Sequence, residues 1–114
     1  MAEPVAAIGA AAAPLEPDPL DPAQVLEGDP RTSAHVLATT AAGGESGVWR
    51  CTPGRFSDVE AAETFVVLEG RATIEWKGGR LDVGPGDVCV LEPGTETVWT
   101  VHETILKGFR IEPA

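Results

Sequence analysis

The segment Glu63-Thr-Phe-Val-Val-Leu-Glu-Gly70, then Arg71-Ala-Thr-Ile-Glu75, then Gly84-Pro-Gly-Asp-Val-Cys-Val-Leu-Glu-Pro-Gly94 decides how the rest of the chain is read. Short apolar runs are separated by glycine-bearing turns, the pattern of brief strands rather than long helices. Glu69-Gly70 and Gly78-Gly79 supply glycine for positive φ, and Gly84-Pro85-Gly86-Asp87 joins a fixed φ to free ones, so each is expected to make a hairpin. No helix and no Lys-Ser/Thr pair follows Gly84 to Asp87, which removes a phosphate-cradling reading.

Outward from this stretch the same pattern continues, and eight strands are expected: His35 to Thr40, Gly47 to Cys51, Glu63 to Leu68, Arg71 to Lys77, Arg80 to Val83, Val88 to Leu91, Thr97 to Val101 and Ile105 to Ile111. So many short strands in residues 32–114 indicate an all-β jelly-roll barrel. Residues 1–31 read differently: they hold six of the ten prolines, and PLEPDPLDP is too proline-dense for a helix or a central strand. That segment is expected to be an extended or disordered acidic arm, whose Val5, Ile8, Leu15, Leu20, Val25 and Leu26 could lie across the barrel or a partner subunit.

The net charge of −10 is shared between arm and barrel without any basic stripe. Phosphate backbones and anionic lipid surfaces are therefore repelled, and neither nucleic acid nor membrane is expected as a partner. Cys51 and Cys89 fit neither a disulfide framework nor a zinc spacing and are expected to pack as small apolar residues. The Ala-rich start lacks a basic n-region, and no stretch reaches the roughly 20 apolar residues of a membrane span, so the cytoplasm is the expected location.

The quoted stretch resembles the two sequence motifs of the cupin superfamily. More narrowly, Trp49, the Pro53-Gly54-x-Phe56 turn, Glu63, the Pro-Gly-Asp turn, Trp99 and Lys107 are similar to the small DUF861-like cupins grouped with ureidoglycine aminohydrolase and ethanolamine-utilisation proteins. The resemblance covers roughly residues 34–111. It implies a double-stranded β-helix with a small-molecule pocket at its open end, often in a dimer.

It also implies where a metal would be held, and there this chain departs from the pattern. Glu63 and Gly70 fit the first motif, but its two histidine slots fall on Phe56 and Asp58, or on Ser57 and Val59, and the second motif's slot falls on Thr97. The two histidines present, His35 and His102, occupy none of these, and His102 is expected on the surface or at an interface. A catalytic metal needs several converging donors, so no cofactor is expected; a divalent metal would have to draw on Asp58 and Glu60 beside Glu63, in an SDVEAAE segment that reads instead as a solvated loop.

Strand alternation places Glu63, Phe65 and Val67 on one inward face, beside Thr97, Trp99 and Val101 from the second motif. A carboxylate in such an apolar pocket loses hydration unless a cation such as Lys107 or Arg110, or a donor such as Thr97 or the Trp99 indole, compensates. Glu63 is the candidate acid, base or anchor, against a structural role capping turn amides. Thr97, Trp99, Phe65 and Lys107 are the candidate ligand-binding residues; Trp49 and Trp76 are weighed as stacking surfaces against core filling.

Three functional readings follow: a barrel that binds or acts on a small polar metabolite without a histidine-held metal; a noncatalytic dimeric module, since Val66, Leu68 and Val98 point outward and need cover; and, by the resemblance, a metal-dependent aminohydrolase-like enzyme of nitrogen or amine metabolism. A homodimer is expected. Whether the barrel is an enzyme is left open by the residues.

Overall fold

The structure, a computed structural model, describes residues 4–113, so the first three residues of the arm and Ala114 lie outside it. Nine antiparallel strands form one curled sheet: β1 (Glu16–Pro17), β2 (Val25–Gly28), β3 (Thr32–Thr39), β4 (Glu45–Cys51), β5 (Gly54–Val59), β6 (Glu63–Trp76), β7 (Gly79–Val83), β8 (Val88–Leu91) and β9 (Glu96–Ile111). There is no α-helix among the described residues, only short 3-10 turns at Ala10–Ala12 and Pro22–Gln24. The jelly-roll barrel expected from the turn spacing is the observed fold.

Two long strands organise it. β9 pairs with β6 along almost its whole length, while its first half pairs with β5 and its second half with β4 on the other side. β6 in turn carries β8 on its first half and β7 on its second. This double use of each long strand curls the sheet around a core of Phe56, Phe65, Val67, Ile74, Trp99, Val101, Ile105 and their neighbours.

The sequence reading divided β6 into two strands joined by a hairpin at Glu69-Gly70; the structure corrects this. Gly70 has φ 83°, but the strand runs through it and its pairing with β9 shifts register between Val67 and Ala72. The positive φ serves a bulge, not a reversal, because β9 continues unbroken opposite it. A side chain at Gly70 would meet the Thr104 carbonyl oxygen at 2.0 Å. The other two turns are as expected: Trp76 pairs with Gly79 across a tight hairpin, and Gly84 to Asp87 reverses the chain with the Asp87 carboxylate accepting from the Gly84 N–H at 2.8 Å.

The Pro53-Gly54-x-Phe56 segment, expected as a turn, leads directly into β5, which was not foreseen as a strand. Asp58 therefore sits on a strand, and Glu60 just beyond it is buried with 7% exposure, rather than in a solvated loop. The proline-rich segment also joins the sheet at both ends of its strand order: β1 pairs with β3 and β2 with β5. Between them, Asp21 and Gln24 cap the Pro22–Gln24 turn reciprocally, and the Gln24 side-chain amide donates to the Ser57 carbonyl at 3.0 Å.

Candidate functional site

The alternation reading holds for the inward residues. Glu63, Phe65, Val67, Thr97, Trp99 and Val101 are all buried, whereas His102 is exposed. Their interior face opens at one end of the barrel into a cavity of about 350 Å³, bounded by Trp49, Phe56, Asp58, Glu60, Glu63, Trp99 and Lys107 from the barrel and by Asp18, Leu20 and Gln24 from the proline-rich segment. Leu20 packs against the core cluster. Asp18 is tied to Thr32 by two hydrogen bonds, its N–H donating to the Thr32 carbonyl and its carbonyl accepting from the Thr32 hydroxyl.

Two buried carboxylates find partners within the protein, one a cation and the other two neutral donors. Lys107 Nζ lies 2.9 Å from Glu63 Oε2, both side chains being buried. The same ammonium stands 4.4 Å from the ring centroids of Trp49 and Phe65 and 4.9 Å from that of Trp99. Of the compensating groups considered for Glu63, Lys107 is the one that serves it. Arg110 instead faces Glu112 and Ser46 at the barrel exterior.

Thr97 and Trp99, the other two groups considered for Glu63, serve a different carboxylate. The Thr97 hydroxyl donates to Glu60 Oε2 at 2.8 Å and the Trp99 indole N–H donates to the same oxygen at 2.9 Å. Their inward direction was legible from alternation; their partner was not, because Glu60 lay in a segment read as a solvated loop. Trp99 is also the hub of the aromatic cluster, stacked on Phe56 at 6.0 Å and edge-on to Trp49 at 5.9 Å.

Asp58 is the third carboxyl. It pairs across from Thr97 on β9 and faces Glu60, and its pKa is pushed up to about 6, first by burial and then by the Glu60 charge, against a hydrogen bond from the Val59 N–H. It is thus a carboxyl that changes protonation near neutrality at a cavity wall. A second, more open groove of about 660 Å³ outside β5, lined by Ser57, Val59, Trp76 and Val98 among others, meets the cavity at Asp58 and Gln24.

Of the five candidates, Glu63, Trp99 and Lys107 line the cavity, Phe65 packs beneath the Lys107 ammonium, and Thr97 borders the outer groove. Trp49 is a cavity wall, and Trp76 is an exposed groove residue. Burial pushes the Cys51 thiol up to about 12 and that of Cys89 up as well, leaving both without nucleophilic character. Among the described residues no three His, Cys, Asp or Glu side chains converge into a group that could hold a metal, and no helix is long and apolar enough to cross a membrane.

Comparison with known proteins places this site in context. No curated protein matches the chain. Among solved structures, a DUF861-family protein of unknown function from Pseudomonas syringae superposes with a TM-score of 0.80 at 27% identity, over 89% of this chain and 45% of its own. The chain thus spans about half the length of that protein. A putative ethanolamine utilization protein Q from Salmonella typhimurium (TM-score 0.64, 18% identity, 74% of this chain and 71% of that one) and a DUF861-family protein from Thermotoga maritima (0.54, 22%, 57% and 76%) share the fold. The EutQ-like cupin domain matches residues 39–109, from the last residue of β3 through nearly all of β9, and the chain accordingly belongs to that family, as a small cupin of the DUF861 type.

Proposed function

We propose that this cupin barrel binds, or acts on, a small polar metabolite in the cavity at its mouth, with Asp58 exchanging a proton or hydrogen bond with the ligand and no histidine-held metal in the chemistry. The observation that carries this is the unequal treatment of three carboxyls: Glu63 is paired by Lys107, Glu60 is held by two donors, and Asp58 accepts from the Val59 N–H and otherwise faces the Glu60 carboxyl. A group left so close to its titration point beside an aromatic-walled cavity is suited to general acid–base work or to anchoring a ligand. The excess of carboxyls over the one ammonium favours an amine-bearing ligand, in keeping with the ethanolamine-utilisation name of the Salmonella neighbour.

The test is a thermal-shift panel of small amines, matched with neutral and carboxylate isosteres, against the wild type and Asp58→Asn. An amine that stabilises the wild type and loses most of that effect in the variant supports the reading. A panel without any stabilising member, or a hit indifferent to Asp58→Asn, refutes it. The metal-dependent aminohydrolase reading demands ammonia release from ureidoglycine dependent on added manganese, and absence of release excludes it.

A second reading, a homodimeric binding module, is favoured by the outer face of β6 and β8, where Leu68, Val88 and Val90 are 39%, 69% and 66% exposed. Such a run of apolar side chains is relieved by a self-complementary interface. Light scattering at micromolar concentration should give twice the chain mass, reduced to a single chain by Val88→Lys with Val90→Lys; a wild-type monomer would end this reading.

A further inference from the structure

The fold's first motif places a glutamate where these barrels usually hold a metal, and here that glutamate, Glu63, is in contact with an ammonium. The surrounding donor set does not fit a divalent ion. Phe56 is hydrocarbon, the Thr97 hydroxyl is committed to Glu60, Asp58 and Glu60 do not converge with Glu63 or any other described His, Cys, Asp or Glu into a group that could hold a metal, and any ion bound about 2.1 Å from Glu63 Oε2 would stand against the charge of Lys107, 2.9 Å from that oxygen. Meanwhile the ammonium has what a bound cation receives in an aromatic cage: one carboxylate and the faces of three rings, Trp49, Phe65 and Trp99, at 4.4 to 4.9 Å.

We propose that Lys107 is the resident cation of this barrel, filling with its own ammonium the charge position that a metal takes where the motif histidines are present, and that the cage around it is a cation site which accepts a free alkylammonium once the lysine is shortened. This holds whatever metabolite the cavity takes. Burying Glu63 as a carboxylate leaves a charge that must be compensated, and among the described residues Lys107 is the cation within 4.0 Å of it. A side chain delivers that charge without imidazole donors, so the motif's histidine slots can hold other residues, Phe56 and Asp58 (or Ser57 and Val59) and Thr97.

The experiment compares melting temperatures of wild type, Lys107→Met and Lys107→Ala in added propylammonium chloride, 1-propanol or manganese chloride. Both variants should melt about 12 to 20 °C below wild type. Propylammonium at tens of millimolar should return a third or more of the loss to Lys107→Ala and nothing to Lys107→Met, whose side chain still fills the cage, while propanol does neither. Manganese should move the wild type by less than about 1 °C. If the alanine variant does not fold alone, its refolding yield from urea with propylammonium against propanol makes the same comparison. Rescue by propanol as good as by propylammonium would show that the cage wants volume rather than charge, and Lys107→Met as stable as wild type, or stoichiometric manganese on the wild type, would equally overturn the proposal.

Discussion

Lys107 Nζ and Glu63 Oε2 stand 2.9 Å apart in the barrel interior, with side-chain exposures of 7% and 8%. Such a pair is stabilising only relative to its broken forms, because each charge alone would be buried without compensation. Lys107→Met should therefore cost about 3 to 5 kcal/mol by this logic. Adding Glu63→Gln to it should restore a large part of that loss, since the stranded carboxylate is then removed. Urea denaturation of the two single variants and the double variant measures this; a double variant no more stable than Lys107→Met would show that Glu63 has another partner.

Asp58 makes stability depend on pH in a definite direction. Its pKa rises from 3.8 to about 6 on folding, so the folded chain binds more protons than the unfolded one between those values. Stability from this group is full below about pH 4 and falls as pH rises through 6. Asp58→Asn, which cannot ionise, should flatten the profile and raise stability at pH 7 relative to wild type. Melting curves from pH 4 to 8 for both proteins test it, and a wild-type profile that climbs through this window would contradict the assignment.

How far the sequence reached is best judged from Glu60 and Gly70. Inward and outward residues of β6 and β9 were legible because strand alternation needs only the order of apolar and polar residues. Glu60 was not, because SDVEAAE carries no such alternation, and its burial follows from donors on a strand 37 and 39 positions away. Gly70 was recognised as a positive-φ residue, yet the same conformation serves a turn or a bulge, and only the unbroken partner strand β9 decides between them. The ion pair was legible as one of several options for Glu63, since Lys107 was considered beside Arg110, Thr97 and Trp99.

Thr97 should be energetically coupled to the Glu60 carboxylate that it serves. Thr97→Val keeps the side-chain shape and removes one donor from a buried carboxylate, at an expected cost of about 1 to 3 kcal/mol. Trp99→Phe removes the other and should cost more, because it also withdraws packing from Trp49, Phe56 and Phe65. In a Glu60→Leu background the Thr97→Val cost should shrink below about 1 kcal/mol, since the hydroxyl then has no carboxylate to serve. Chemical denaturation of the four proteins of this cycle checks it, and equal costs in both backgrounds would mean that Thr97 acts through something other than Glu60.

The proline-rich segment should govern access to the cavity, because Asp18 and Leu20 line it from outside the barrel while β1 holds β3 by two paired residues. Prolines keep this wall extended but donate no ladder hydrogen bonds, so its closure rests on the short β1 pairing, on Leu20 packing and on the Asp18–Thr32 bonds. Leu20→Asp should loosen it while leaving β3 to β9 paired. In a Trp76→Phe background, which removes the exposed indole, the remaining Trp49 and Trp99 report from the cavity wall. Acrylamide quenching of their fluorescence should rise at least twofold with Leu20→Asp, with an unchanged far-ultraviolet circular dichroism spectrum. Quenching that stays at the Trp76→Phe level would mean that the cavity is closed by the barrel itself and that the segment is not its gate.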